Sequence, residues 1–443
     1  MNELVYLKDI AGYDEEKEEA KKIIEVLKNH KKYEDLGAYI PKGLILSGNP
    51  GVGKTLLAKA IANESGVPLF EFETNESETE AATIKSIKDV FTKAKENAPS
   101  IVFIDELDEL VMTEDFRSDY SRKIAKILLT ELDGITSSKG ILVIATTNYR
   151  AALPPALMRS GRMDKRITVD MPDSYSREAI FKYYLDKHES LSDIDSKTLA
   201  IKTSNFSGAD IKTLINETII DCASKKIEKI TLEDFERNIP VVMFQDIKKN
   251  NKNGPDDSTC YHEIGHFITE YVLSGKIGSI STERYGRVRG HVMFDFEEIE
   301  PLEKITKNTM EDKLVTLLGG MAAEEVLYND ITSGSSVDVG TARRYIQSLM
   351  SVGAYGFDKL LPNSQVGRMS SMSFPISEER TKNIEELETT LLDNAYKRAK
   401  EIIGENVDFA KYLYSELRIK EKLSQRAVSY THLTLPTKAL CRS

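Results

Sequence analysis

Cysteine is scarce in this chain: Cys222, Cys260 and Cys441 are scattered through 443 positions with no C-x-x-C pair. An odd, dispersed set supports neither a disulfide framework nor a cysteine zinc site, and it implies a reducing compartment. Long apolar runs are missing too. No stretch approaches the roughly 20 residues that cross a bilayer, and the opening MNELVYLKDIAGYDEE has neither the basic start nor the apolar core of a signal peptide. As it stands the chain is expected in the cytoplasm, or at the cytoplasmic face of a membrane if it is part of an anchored protein. Positive charge is in the minority, with 60 Lys and Arg against 71 Asp and Glu and a net charge of -11. That balance argues against a mainly electrostatic nucleic-acid binder.

What is present fits two or three globular domains, with 40% hydrophobic and 30% charged residues over a length too great for one ordinary core. From Lys42 to Val169, short β-rich runs (GLILSG, SIVFID, GILVIATT) alternate with helical stretches such as TLLAKAIANES, the signature of a parallel α/β sheet. From Ser174 to about Phe244 the pattern turns helical, as in SGADIKTLINETIIDCASKK. The Lys, Asn, Gly and Pro content of KKNNKNGPDDS cannot form a packed element and marks the main boundary. Beyond it lie amphipathic helical stretches and a small β-like region. We therefore expect a large α/β subdomain over 1–172, a helical lid over 173–245, a linker over 246–257, a mainly helical domain over 258–427, and a foreign-looking tail over 428–443.

GNPGVGKT, Gly48 to Thr55, follows the strand GLILS and opens a helix. Glycines let backbone N–H groups curl around phosphate oxygens, Lys54 reaches the outer phosphates and Thr55 suits magnesium, so Gly48, Asn49, Pro50, Gly51, Val52, Gly53, Lys54, Thr55 and Leu56 are expected to hold a nucleotide. A plain glycine turn before a helix is the bland alternative. IVFIDE delivers Asp105 and Glu106 to a strand end, where Asp105 would hold the magnesium shell and Glu106 would polarise an attacking water. Asn148 ends ILVIATTN and could orient the same water, although Asn at a strand end is commonly a turn residue. Arg159 and Arg162 in LMRSGRMDKR read alone as a solvated basic loop. Beside a phosphate site they become candidates for arginine fingers supplied in trans to a neighbouring subunit.

His262, Glu263 and His266 form H-E-x-x-H, whose i, i+4 spacing sets both imidazoles on one helix face and commits two of only six histidines. Two imidazoles and a third ligand suit zinc with an open position for water, and Glu263 would take that water's proton during peptide hydrolysis. Chemistry alone leaves the third ligand open among Glu324, Glu325, Asp338 and His291. Asp338 could instead merely cap a helix, and His291 in RGHVMF reads as a strand residue.

Both motifs in this order, with LKDIAGYDEEKEEAKKIIEVLKN, FIDELDEL, LLTELDGI, ALMRSGRMDKR, SGADIKTL, STCYHEIGH, LLGGMAAEEVLY and TSGSSVDVGTA, resemble the FtsH family of AAA+ zinc proteases from about Leu4 to Ser424. The resemblance implies a P-loop α/β domain with helical lid followed by a zinc peptidase domain, an ATP-dependent endopeptidase of unfolded or poorly folded proteins, and a homohexameric ring that threads them. It aligns Asp338 with the third zinc ligand, Arg159 and Arg162 with the fingers, and Asn148 with the sensor. It also sets Ile10, Ala11 and Gly12, with Gly208 and Ala209, beside the nucleotide. Zinc, ATP and magnesium are the implied cofactors. Three departures stand out. Family members usually carry an N-terminal membrane anchor, and this chain starts at the ATPase module. Where they have an aromatic pore loop this chain reads NESETEAATIKS, so Glu78, Thr79 and Glu80 would present charge and hydroxyl in place of an apolar grip. Ser160 and Met163 replace the finger loop's usual proline and phenylalanine, which predicts a less rigid loop. The competing expectation is a remodelling ATPase or ring scaffold with weak or uncoupled peptidase activity.

Overall fold

The computed structural model describes residues 4–38, 41–72, 79–111, 119–135, 140–191, 193–245, 248–249, 254–276, 278–286, 288–294, 307–351 and 378–423. They form two compact units that divide between Met243 and Phe244. Of the expected linker, residues 246, 247 and 250–253 lie outside the described set, as do Glu78, Cys441 and the whole tail 428–443.

The first unit is built on β1 (Gly43–Ser47), β2 (Leu69–Phe72), β3 (Ser100–Ile104), β4 (Ile141–Thr147) and β5 (Lys165–Thr168), a parallel sheet in the order β2-β3-β4-β1-β5. The strands β1, β3 and β4 are buried at every position. That is why they read as continuous apolar runs: helices cover both faces. Those helices are α1 (Asp14–Lys28), α2 (His30–Asp35), α3 (Lys54–Ser65), α4 (Glu80–Glu96), α5 (Leu107–Val111) and α6 (Asp119–Asp133). One core cluster joins Ile87 and Phe91 of α4, Ile124 and Leu128 of α6, and Val102 and Val143 of the sheet.

The lid helices are α7 (Ser174–Leu185), α8 (Ser196–Lys202), α9 (Gly208–Ser224) and α10 (Leu232–Phe244). A capping box starts α9: the Ser207 hydroxyl accepts from the Asp210 N–H and the Asp210 carboxylate accepts from the Ser207 N–H. Just inside it, the Ala209 N–H donates to the Gly51 carbonyl at 3.1 Å, which ties the lid to the glycine loop.

The second unit carries β6 (Lys248–Lys249) paired with β8 (Arg284–Tyr285), and a small antiparallel sheet in the order β10-β7-β9 made by β7 (Gly278–Ser281), β9 (His291–Phe294) and β10 (Lys422–Leu423). The rest is helical: α11 (Asp257–Ser274), α12 (Lys307–Ala323), α13 (Ser336–Ser351), α14 (Glu378–Glu405) and α15 (Val407–Lys420). Its core packs Ile264, Phe267 and Ile268 of α11 against Leu314, Leu318 and Ala322 of α12, Ala399 and Ile403 of α14, and Leu413 and Leu417 of α15. The axes of α11 and α12 come together at glycines, since a Cβ on Gly265 would sit 2.2 Å from the Gly319 carbonyl oxygen. After Ala323 the chain widens into one π-helical turn, Glu324–Tyr328. The expected architecture, a parallel α/β domain with lid helices and then a mainly helical domain with a small sheet, is the one observed, and the parallel sheet has five strands. Among the described residues no helix is long and apolar enough to cross a membrane.

Candidate functional site

In the first unit the C-terminal ends of β1, β3 and β4 lie side by side, the edge at which a parallel sheet presents its loops to a ligand. The glycine loop leaves β1 there. Gly48 has φ +155° and a Cβ on it would sit 1.9 Å from the Val169 carbonyl oxygen, so no other residue fits without moving the backbone. The Lys54 ammonium donates to the carbonyls of Gly48 (2.9 Å) and Asn49 (2.7 Å) and to Asn148 Oδ1 (2.7 Å), and burial lowers its pKa. The Thr55 hydroxyl lies 3.1 Å from Asp105 Oδ2. Thr146 on β4 donates to Asp105 Oδ1 at 2.5 Å and accepts from the Glu106 N–H at 2.9 Å. Glu106 itself is left-handed, with φ 51°. Burial first, then the nearby carboxylates of Glu109, Asp105 and Asp108, push its pKa up.

These groups open onto a cavity of about 400 Å³ lined by Ile10, Ala11 and Tyr13, by Pro50, Gly51, Val52, Gly53, Lys54, Thr55 and Leu56, by Asp105, Glu106 and Asn148, and by Gly208 and Ala209. Of the sequence candidates, Gly12, Gly48, Asn49, Arg159 and Arg162 are not among its lining residues. Gly12 instead packs on α7, where a Cβ would come within 2.8 Å of the Ser176 Cβ. Arg162 is tied within its own chain, through Nε and Nη2 to the Asp133 carboxylate at 2.8 Å each and through Nη1 to the Ala156 carbonyl at 2.7 Å. Arg159 is exposed. In the loop that carries these arginines, Met163 is buried against the core and packs on Gly43, while Ser160 is exposed.

In the second unit α11 sets His262 and His266 on one face, as their spacing requires, with Nε2 atoms 3.1 Å apart. Asp338, in the first turn of α13, brings Oδ2 to 3.1 Å from His262 Nε2 and 3.6 Å from His266 Nε2. The three ligand atoms lie within 4.8 Å of one another, a spacing that could hold a metal ion. Each ring's other nitrogen is engaged: His262 Nδ1 with Glu324 Oε1 at 2.7 Å, and His266 Nδ1 with the Thr316 carbonyl at 2.8 Å. With Nδ1 donating, each Nε2 keeps its lone pair for the centre, the donor set that suits zinc. Burial opposes a charge on His262, but hydrogen bonds to Asp338 and Glu324 outweigh it and raise its pKa to about 10. The field of the site therefore favours a cation. Asp338 shows the converse: burial would raise its pKa, and the two histidines hold it well below the carboxylate range. Glu263 is buried, which raises its pKa, and it packs beneath Gly290, where a Cβ would meet its Oε1 at 2.7 Å.

The pattern described as "ATPase family associated with various cellular activities (AAA)" matches residues 44–171, "AAA+ lid domain" matches 193–237, and "Peptidase family M41" matches 249–430. A protein of Caldicellulosiruptor bescii named ATP-dependent zinc metalloprotease FtsH is 35% identical over 435 residues, covering 94% of this chain and 70% of its own length. Proteins of the same name from Thermotoga maritima (34% identical, 91% of this chain and 68% of theirs) and Bacillus subtilis (32%, 98% and 71%) are similar over the same span. The chain belongs to the FtsH family of ATP-dependent zinc metalloproteases.

Several residues around this FtsH-family chain's two sites escaped the reading of the sequence. Glu324, offered above as a ligand, faces the ring of His262 and not the centre. Its carboxylate also accepts from the Thr332 N–H (2.5 Å) and from the hydroxyls of Thr332 and Ser335 (3.2 Å each). Glu325 turns away to Tyr396 and Lys400. Its neighbour's role could have been found only from the helix register, because a tandem Glu-Glu carries no signal of which one points inward. Thr146, Thr316 and Asp133 likewise act through contacts between segments far apart in sequence. His291 is a strand residue, as expected, buried against Phe244 and Tyr285.

Proposed function

We propose that this chain couples ATP hydrolysis to unfolding, threading and cutting of unfolded or poorly folded proteins, as a homohexamer. The observation that carries the reading is the convergence of His262 Nε2, His266 Nε2 and Asp338 Oδ2 beside the buried Glu263, in a chain that also holds a P-loop cavity.

On this reading Gly48 to Leu56 wrap the phosphates, with Ile10, Ala11, Gly12, Gly208 and Ala209 around the nucleoside. Thr55 and Asp105 would hold a magnesium ion, which supplies charge neutralisation between the phosphates. Glu106 orients and polarises the attacking water and Asn148 positions it. In the hexamer Arg159 and Arg162 reach a neighbour's phosphates. Arg162 must first exchange its Asp133 and Ala156 contacts, whereas Arg159 starts exposed.

His262, His266 and Asp338 would hold the zinc, which supplies an acidified water and a polarised scissile carbonyl. Glu263 takes the proton of the attacking water and passes it to the leaving amine. The raised pKa of its buried carboxyl suits both halves of that transfer. Glu324 and the Thr316 carbonyl hold the two rings in orientation.

A second reading, ATP-independent cutting of chains that are already unfolded, is favoured by one observation at the pore-loop position. Thr79 uses its oxygen to accept from the Ala82 N–H as the cap of α4, and Glu80 is paired with Lys123 at 2.8 Å. Neither offers an apolar grip. The test is fragment release from an unstructured protein by the zinc-loaded chain with and without ATP, with Glu263→Gln as blank. Cleavage requiring both ATP and Glu263 supports the coupled reading, cleavage requiring Glu263 alone supports the second, and no cleavage from a zinc-loaded hexamer sinks both.

A further inference from the structure

Asp108 is a buried acid that lines no part of the nucleotide cavity. It stands three residues past Asp105 in α5 and is 6% exposed. Its neighbours Leu107, Leu110 and Val111 belong to the hydrophobic core. Taking a carboxylate out of water is costly, and an apolar side chain would fill this place without that penalty. Oδ1 is buried with no hydrogen-bond partner among the described residues, so only Oδ2 can explain why an acid stands here.

Oδ2 accepts the backbone N–H of Asn148 at 3.2 Å and that of Tyr149 at 3.1 Å. Strand β4 ends at Thr147, so these two N–H groups lie beyond its ladder and need acceptors from elsewhere. Asn148 finds its acceptor in Asp108, while Tyr149 shares its N–H with Thr147 Oγ1, also at 3.1 Å. A second bond joins the same two segments in the opposite sense, the Glu106 N–H donating to Thr146 Oγ1 at 2.9 Å. The chain leaving β3 is thereby tied twice to the chain leaving β4. Thr146 fixes Glu106, and Asp108 fixes Asn148, whose side-chain oxygen accepts from Lys54 at 2.7 Å.

Glu106 and Asn148 are the two groups that meet the attacking water, and Asp108 connects them. It is two residues from the first and bonded to the backbone of the second. We propose that Asp108 is a positioning residue for ATP hydrolysis, holding the Asn148 backbone to the segment that carries Glu106 and so setting the spacing of the two groups about one water. This rests on the ATPase reading of the site. A displacement of about 1 Å in such a pair costs up to about 10²-fold in rate. Nucleotide affinity is governed by the cavity lining, which Asp108 does not join. An acid kept for stability alone would instead change the unfolding temperature and leave turnover per folded molecule as it was.

The test uses the full chain and measures ATPase kcat and KM, calorimetric ADP affinity and unfolding temperature. The proteins compared are wild type, Asp108→Ala, Asp108→Asn, Asn148→Ala and the variant carrying both alanines. Asp108→Ala is expected to lower kcat about 10²-fold while KM and ADP affinity stay within about twofold. Asp108→Asn keeps an oxygen for both N–H groups but loses the charge that strengthens those bonds, and should lose only about fivefold in kcat. Because Asp108 acts through Asn148, removing it from the Asn148→Ala background should cost less than about twofold more. Wild-type kcat in Asp108→Ala, losses that multiply in the double variant, or ADP affinity falling in step with kcat would overturn the proposal. If Asp108→Ala does not fold, Asp108→Asn decides alone, and a wild-type kcat there, or a loss shared by ADP affinity, overturns it. An Asn148→Ala chain with wild-type kcat, or a wild-type chain that hydrolyses no ATP, would instead remove the reading beneath it.

Discussion

The two units solve the same problem, positioning a few charged groups within hydrogen-bond reach, by different means. In the ATPase unit the parts come from the ends of β1, β3 and β4, three fully buried strands locked in register at the centre of the sheet. In the peptidase unit one helix, α11, supplies both histidines and Glu263, and the polar partners of the histidines are brought to it by segments 50 to 76 residues away in sequence, from Thr316 at 50 residues after His266 to Asp338 at 76 after His262. The first site depends on the sheet, and the second on the packing of α11 against α12 and on the turn that follows. Damage should therefore stay local in one unit and spread from the support shell in the other.

The largest effect that tests this contrast is a paired one. Glu263→Gln should lower proteolysis about 10³-fold while ATP turnover persists, and Lys54→Ala should abolish nucleotide binding while zinc content stays at wild-type level. Zinc analysis and ATPase assays on both variants check it. Zinc loss in Lys54→Ala would break the claim of separate construction. Next comes Gly320→Ala on α12. Its added methyl would meet His262 and His266 at 2.6 to 2.7 Å, so zinc should be lost although no ligand is altered, and metal analysis reads the outcome.

Glu324→Gln should weaken zinc affinity by roughly 10- to 100-fold, as loss of a carboxylate partner to a ligating histidine does, while Glu325→Gln should leave it unchanged. Competition with a chelator separates the neighbours. Equal effects would put both glutamates in the same role and contradict the geometry.

His291 gives a pH-dependent prediction confined to the second unit. Burial, then the charge of Lys422, lower its pKa from 6.5 to about 4, so the folded state resists a proton that the unfolded chain accepts. The unfolded state binds more protons across that window. Stability contributed here is intact above about pH 6.5, falls as pH drops, and is fully lost below about 4, with a total of about 3 kcal/mol. His291→Phe should flatten this part of the stability profile in denaturant titrations, and a parallel profile in the variant would refute it. The smallest effect is at Thr79, whose oxygen caps α4: Thr79→Ala should destabilise the first unit by about 0.5 to 1 kcal/mol, measured by thermal unfolding.

The same contrast explains what could be read from the chain alone. The glycine loop, the acid pair after β3 and the H-E-x-x-H helix were legible because each is a local pattern whose geometry follows from strand or helix periodicity. Asp338 was one carboxylate among several until resemblance singled it out, since no spacing rule spans the fold between α11 and α13. The bonds of Arg162 to Asp133 and of Thr146 to Asp105 were invisible for the same reason, the first joining the end of α6 to the finger loop and the second set by the register of β3 against β4. At the finger loop, Ser160 and Met163 together predict a less rigid loop, whereas the burial of Met163 against the core is a long-range contact that no local pattern encodes.

The π-helical turn at Glu324–Tyr328 adds one residue to the circuit of the helix just where two glutamates stand in tandem. Its first residue looks inward to an imidazole and its second outward to Tyr396 and Lys400. Deleting one residue from the preceding stretch would set Glu325 at the inward place, whereas an insertion would bring Ala323 there. The register of this one turn, more than the presence of an acid, therefore decides whether the histidine keeps its partner.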